Sequence, residues 1–239
     1  MQAMKTIPPV PSATETPQPR PLEPAASPMR QAIAAAVTKS WQTIPHFSVT
    51  VEIDMEACRE IVNELKEGAH PVGYSTLLIK ACAHCLETFP LLRTPAAVSQ
   101  KEINISFAVA LPDGLLMPVI RGCEGRSVAE IEREAARLIE KCRQGRLSSE
   151  EMSGGCFSLS NLGMYGVDEF TALIMPGQTA ILAAGAVTER AVVRNGAVAA
   201  AATMRVTLCS DHRIVDGAYA ARFLADLRSI LEKPVSLLV

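Results

Sequence analysis

His212 stands in the run Leu208-Cys209-Ser210-Asp211-His212-Arg213-Ile214-Val215-Asp216-Gly217, where Asp211, Arg213 and Asp216 surround it with charge. An imidazole changes protonation near neutral pH, so it is the side chain best placed to take a proton from a reacting group and return it. The plainer reading makes Asp216 the N-cap of the next helix, Gly217 the residue that eases the turn, and His212 a loop residue on the surface. Ser160 is a second candidate, in Phe157-Ser158-Leu159-Ser160-Asn161-Leu162-Gly163. A glycine-rich break lets backbone and hydroxyl groups approach a ligand closely, although on its own Ser-Asn-x-Gly is ordinary turn chemistry. Cys82-Ala83-His84-Cys85 has the spacing of a metal or redox pair. It lies inside a helical apolar pattern with no second ligand pair, so the two thiols read as small buried helix residues, and no metal is expected.

The elements that hold these residues are legible from periodicity. Met204 to Leu208 alternates as a strand leading into the His212 loop, and Ala218 to Leu231 has helical spacing after it, so His212 marks a strand-to-helix junction. Earlier, Met29 to Trp41 reads as a helix with Ile33, Val37 and Trp41 at four-residue spacing; Ile44-Pro45-His46-Phe47 ends it, and Phe47 to Ile53 alternates as a strand. Two more helices follow, Asp54 to Lys66 and Tyr74 to Phe89. A hairpin of Ile103 to Leu111 with Leu115 to Ile120 is expected around Pro112-Asp113-Gly114, with Gly114 at positive φ. Ser127 to Cys142 opens with a Ser127-x-x-Glu130 capping box. Three strand-like runs begin at Gln178, two of them joined by Asn195-Gly196.

Asp-His-Arg-x-x-Asp-Gly before a C-terminal helix resembles the active-site motif of the dihydrolipoamide acyltransferases, the E2 core components of 2-oxoacid dehydrogenase complexes. It is also similar to the shorter His-x-x-x-Asp-Gly motif of chloramphenicol acetyltransferase. Three further passages resemble the same family: Arg30 to Phe47 with its Ile-Pro-His-Phe ending, Phe107 to Ile120, and Gly154 to Gly166. The family usually has Pro-Glu-x-Asn-Ala where this chain has Pro90-Leu91-Leu92-Arg93-Thr94.

The resemblance implies an α/β (α+β) chloramphenicol acetyltransferase-like fold, a mixed sheet covered by helices, that forms trimers. Trimers of that family assemble further into a hollow cube or dodecahedron. It implies an acyl group, acetyl in the closest-looking endings, moved between a dihydrolipoyl thiol and coenzyme A. His212 would be the general base and Ser160 the oxyanion donor, the two facing one site from neighbouring subunits. Asp216 would brace the loop, with Arg30 as its partner; otherwise Arg30 is a solvated charge on a first helical turn. The lipoyl group would come in trans from another domain or chain, and E1 and E3 components are partners the resemblance allows. Two other readings stay open: a free-standing acyltransferase with another small acceptor, and a non-catalytic assembly core.

Composition bounds the rest. The 239 residues carry a formal net charge of -2, which gives no basic surface for nucleic acid, and no apolar run is long enough to span a membrane. Residues 1–27 are rich in Pro and Ala without periodicity and read as a flexible linker or tail, leaving 28–239 as one catalytic domain with no lipoyl or subunit-binding domain. Seven cysteines scattered through apolar segments point to a reducing, cytoplasmic setting.

Overall fold

The computed structural model describes residues 27–65, 71–94 and 102–237; the expected linker and the Lys66 end of the second helix lie outside them. Ser27 caps the first helix, α1 (Pro28–Thr43), its Oγ accepting from Arg30 N at 3.3 Å, with Pro28 in the first turn where no amide partner is needed. Strand β1 (His46–Asp54), helices α2 (Glu56–Leu65) and α3 (Tyr74–Thr88), and the short strands β2 (Ile105–Phe107), β3 (Val109–Leu111), β4 (Gly114–Leu116) and β5 (Val119–Ile120) follow. Helix α4 (Val128–Arg143) begins with the expected reciprocal box: Glu130 N donates to Ser127 Oγ, and Ser127 N to Glu130 Oε2. The chain closes with β6 (Phe157–Asn161), β7 (Ala180–Ala184), β8 (Thr188–Arg194), β9 (Ala197–Asp211) and α5 (Gly217–Glu232).

One mixed sheet, in the order β1-β9-β7-β6-β2-β5, organises the molecule; β6 runs parallel to both β7 and β2, the other neighbours are antiparallel, and β8 extends from β9 as a hairpin. Alternation along the strands gives the sheet two unlike faces. Leu159, Leu182, Met204, Val206 and Leu208 share the face that packs with Leu77, Phe223 and Leu227 of α3 and α5 into the main core. The opposite face carries Ser48, Thr50, Ser158, Ser160 and Thr207, and is covered only in part, by a small cluster of Ile44, Ile174, Ile181 and Cys209. Helix α1 is anchored there by Ser40, whose hydroxyl donates to Ile174 O at 2.6 Å. Farther along its apolar stripe Val37 is 38% and Trp41 67% exposed, while Ile33 packs on β4.

The expected hairpin is divided. Pro118 between β4 and β5 has no N–H to give to a ladder, so β3 and β4 pair as a separate ribbon while β2 and β5 join the main sheet. Gly114 does not take the positive φ expected of it. Its small size serves a close approach instead, because a Cβ there would stand 2.9 Å from both Ile33 Cδ1 and Met29 Sδ of α1. The Asn195-Gly196 turn does have positive φ at both residues, 53° and 80°, as a two-residue hairpin requires.

All seven cysteines are buried and unpaired. Burial pushes the thiols of Cys58, Cys85 and Cys123 up to about 12, and that of Cys82 well above its ordinary value. Because the thiolate is the reactive form, native protein is expected to take up no iodoacetamide at these positions at pH 8, and all seven sites should label once urea unfolds the chain. Mass spectrometry of the two samples measures this directly.

Candidate active site

Strand β9 ends at Asp211, and the loop that follows is clamped at both ends. Asp211 N donates to Thr179 O at 2.9 Å, and its own carbonyl accepts from Ile214 N and Val215 N. Its carboxylate receives the backbone N–H of Arg213 at 3.0 Å and the guanidinium through Nε at 2.9 Å and Nη2 at 2.6 Å. These hydrogen bonds from Arg213 hold the Asp211 carboxyl below the usual carboxylate range despite its burial. At the far end Asp216 caps α5, Oδ1 accepting from Tyr219 N at 2.7 Å. Between the clamps the His212 side chain projects outward, exposed, with its backbone N–H on Pro45 O at 3.0 Å and its ring against Phe47. The Asp211–Arg213 bracket is a feature the sequence reading missed; an acid and an arginine two residues apart was its only signal.

A carboxyl depressed in the folded state stabilises the fold above its unfolded pKa, near 4, and that contribution disappears as pH falls through the folded value. The stability gap between wild type and Arg213→Ala is therefore expected to be full at neutral pH and to close as the pH drops below about 4. Urea titrations of both proteins from pH 7 to pH 2.5 give the gap.

Ser160 lies near the end of β6, half-buried, on the wall of a cavity of about 460 Å³. Ile79, Phe107, Ile139, Met164 and Tyr165 supply much of its apolar lining, Met164 and Tyr165 being 70% and 65% exposed. The next residue fixes the turn: Asn161 Oδ1 accepts from Gly163 N at 2.8 Å, and its Nδ2 donates to Ser75 Oγ at 3.0 Å. The glycines here admit the chain's own backbone. A Cβ on Gly163 would come within 2.7 Å of Gly185 O, and one on Gly185 within 2.0 Å of Asp168 O.

Within one chain the two candidates are far apart. Ser160 is level with Thr207 through Ala183 of β7, whereas His212 lies five residues farther along β9, toward the opposite end of the sheet. That offset is roughly 17 Å along the strands and about 10 Å across them. Arg30 does not serve as the expected partner of Asp216 in the chain: among the described residues no ion pair joins them, and the start of α1 packs on Gly114 of β4 instead. His46, the imidazole of the Ile-Pro-His-Phe passage, makes structural hydrogen bonds. Its Nδ1 lies 2.8 Å from Ile44 O and so donates, while Nε2 accepts from Ile174 N at 3.1 Å; both nitrogens of a neutral ring are thereby used.

Residues 22–239 match the model of the 2-oxoacid dehydrogenases acyltransferase (catalytic domain). The chain belongs to that family. Among relatives of this acyltransferase domain, the acetyltransferase component of the pyruvate dehydrogenase complex of Rickettsia felis is 34% identical over 88% of the chain and 53% of its own length. The mitochondrial counterpart of Schizosaccharomyces pombe is 38% identical over 88% of the chain and 46% of its own length, so the chain spans about half the length of the curated relatives it matches. In structure, the acyltransferase domain superposes on the dihydrolipoamide acetyltransferase (E2p) of Azotobacter vinelandii with a TM-score of 0.86 and 29% identity, covering 98% of this chain and 100% of that one. That enzyme was investigated for the roles of one serine, one histidine and one asparagine in its catalytic mechanism. The cubic core of a pyruvate dehydrogenase multienzyme complex matches at TM-score 0.86 and 30% identity, with the same coverage. Chloramphenicol acetyltransferase, at TM-score 0.50 and 13% identity, shares the fold.

Proposed function

We propose that the chain transfers an acyl group, acetyl in the first instance, between a dihydrolipoyl thiol and the thiol of coenzyme A, at a site shared by neighbouring copies in a trimer. One observation carries the reading. The serine-to-histidine and histidine-to-asparagine spacings of the Azotobacter vinelandii enzyme recur here in Ser160, His212 and Asp216. Since Ser160 and His212 of one chain stand at opposite ends of the sheet, a common site needs His212 of one copy beside Ser160 of the next. The cubic core among the structural relatives and the exposed Val37 and Trp41 of α1 support such an assembly.

The chemistry then follows from the side chains. His212 takes the proton of the attacking S–H, and the sulfur adds to the thioester carbonyl, forming a new C–S bond. The carbonyl oxygen becomes an oxyanion that accepts the Ser160 hydroxyl. Collapse breaks the original C–S bond, and the imidazolium returns its proton to the departing sulfur. No protein nucleophile is required. Both thiols arrive with the substrates, the lipoyl one from another domain or chain.

Asp216 holds the loop and does not relay a proton. Helix capping needs only an acceptor oxygen, which the asparagine of the relative also supplies. Asp216→Asn is therefore expected to keep transfer within about threefold of wild type, while Asp216→Ala loses about 1 kcal/mol of stability with the cap. Steady-state rates and urea unfolding of the two variants measure these effects.

Seven unpaired thiols support a reducing, cytoplasmic setting. The function itself is tested by acetyl transfer from acetyl-coenzyme A to dihydrolipoamide, with light scattering on the same sample. Transfer by a trimer or a multiple of it is the expected result; a well-assembled protein inert toward dihydrolipoamide would send the search to other acceptors.

A further inference from the structure

Within one chain, no hydrogen bond to another described residue aims the His212 ring. Its two neighbouring carboxylates are engaged elsewhere, Asp211 with Arg213 and Asp216 with the first turn of α5. Among the described residues neither nitrogen of the His212 ring has a hydrogen-bond partner, and the side chain is exposed. Rotation of an aromatic ring about its bond to Cβ has a broad, roughly two-fold profile. An unrestrained imidazole would carry its proton-accepting nitrogen through a wide arc.

Phe47 is the ring packed against it, with centroids 4.5 Å apart and planes at 79°. Phe47 is itself held from several sides. Its backbone pairs with Ser210 in the β1–β9 ladder, and the residue two before it, Pro45, receives the His212 N–H. Between them His46 ties the strand entry to Ile174. Beyond the ring lies the start of α5, where a Cβ built on Gly217 would rest 3.4 Å from Phe47 Cζ. A flat, anchored surface thus stands edge-on to the imidazole, the ring contact that the described residues of the chain give it.

We infer that Phe47 is a positioning residue for His212, fixing the plane of the imidazole so that its basic nitrogen faces the incoming thiol. The inference rests on His212 being the general base. Phe47→Leu removes the flat ring and keeps apolar bulk, and Phe47→Tyr keeps the ring. In the acetyl-transfer assay Phe47→Leu is expected to lower kcat about 10- to 100-fold, with KM for both substrates within about twofold and with thermal midpoint and assembly unchanged. Phe47→Tyr should restore kcat to within about threefold of wild type. In a His212→Ala background Phe47→Leu should cause no further loss, since the two act as a unit. Should the leucine variant fail to assemble, Phe47→Met carries the same expectation. A wild-type kcat in Phe47→Leu, or an equal loss in the His212→Ala background, overturns the inference. Full activity in His212→Ala alone would instead overturn the general-base reading, whatever Phe47 does.

Discussion

Trimers that combine His212→Ala chains with Ser160→Ala chains are expected to regain about a third of the wild-type transfer rate, although each variant alone is nearly inert. The argument is geometric. In a closed three-fold ring each site draws His212 from one copy and Ser160 from the next, and every mixed trimer, whichever variant is in excess, contains one junction where both intact residues meet. If His212 and Ser160 serve one site, their separation along β9 and β6 calls for this arrangement, because they lie toward opposite ends of the same sheet in one chain. Co-expressing the variants with different affinity tags and purifying through both isolates the mixed species. If those trimers stay as inert as their parents, the site is not shared, and the pairing of His212 with Ser160 falls with it.

The single substitutions carry the second large effect. Loss of a positioned general base typically costs 10²- to 10⁴-fold, and His212→Ala is expected to lose roughly that much kcat while KM for coenzyme A stays close to wild type. Ser160→Ala should lose roughly 10²- to 10³-fold, the usual consequence of removing one oxyanion donor. Both losses belong in kcat because each interaction is made only as charge moves in the transition state. The double variant should be little worse than His212→Ala alone, since residues acting on one transition state do not contribute independently. Parallel saturation curves for the three proteins, with scattering to verify equal assembly, settle the magnitudes. A His212→Ala enzyme within tenfold of wild type would remove the base from the mechanism.

Much of this architecture was legible in the chain because local chemistry and fold agree. The alternation of Met204 to Leu208, the capping box at Ser127 and the Asn195-Gly196 turn each appear where their patterns place them. Where expectation and structure part, the cause is a contact distant in sequence. Gly114 was read for its backbone freedom, but α1, whose Met29 and Ile33 press on it, is what demands a residue without a side chain. Arg30 was read against Asp216, and among the described residues of one chain no ion pair joins them. The stripe of Ile33, Val37 and Trp41 showed which side of α1 is apolar but not that Ile33 would pack on β4 while Val37 and Trp41 face outward, since periodicity does not name the surface that covers a stripe. The orienting ring of Phe47 is the same kind of case: its distance from His212 in the sequence hides a ring-to-ring contact that only strand pairing creates.

The buried sulfurs have a consequence for chemical selectivity. A thioester is an electrophile toward any thiolate, and an oxidised lipoyl ring exchanges with any accessible thiol. A catalyst for traffic between such groups would acylate itself, or lock onto its own substrate as a mixed disulfide, if one of its cysteines stood ionised near the passage. Here every cysteine is enclosed, and burial keeps those within the core protonated. In the transfer proposed above, an acyl group brought to the protein would then meet one competent sulfur, the one carried in by the second substrate.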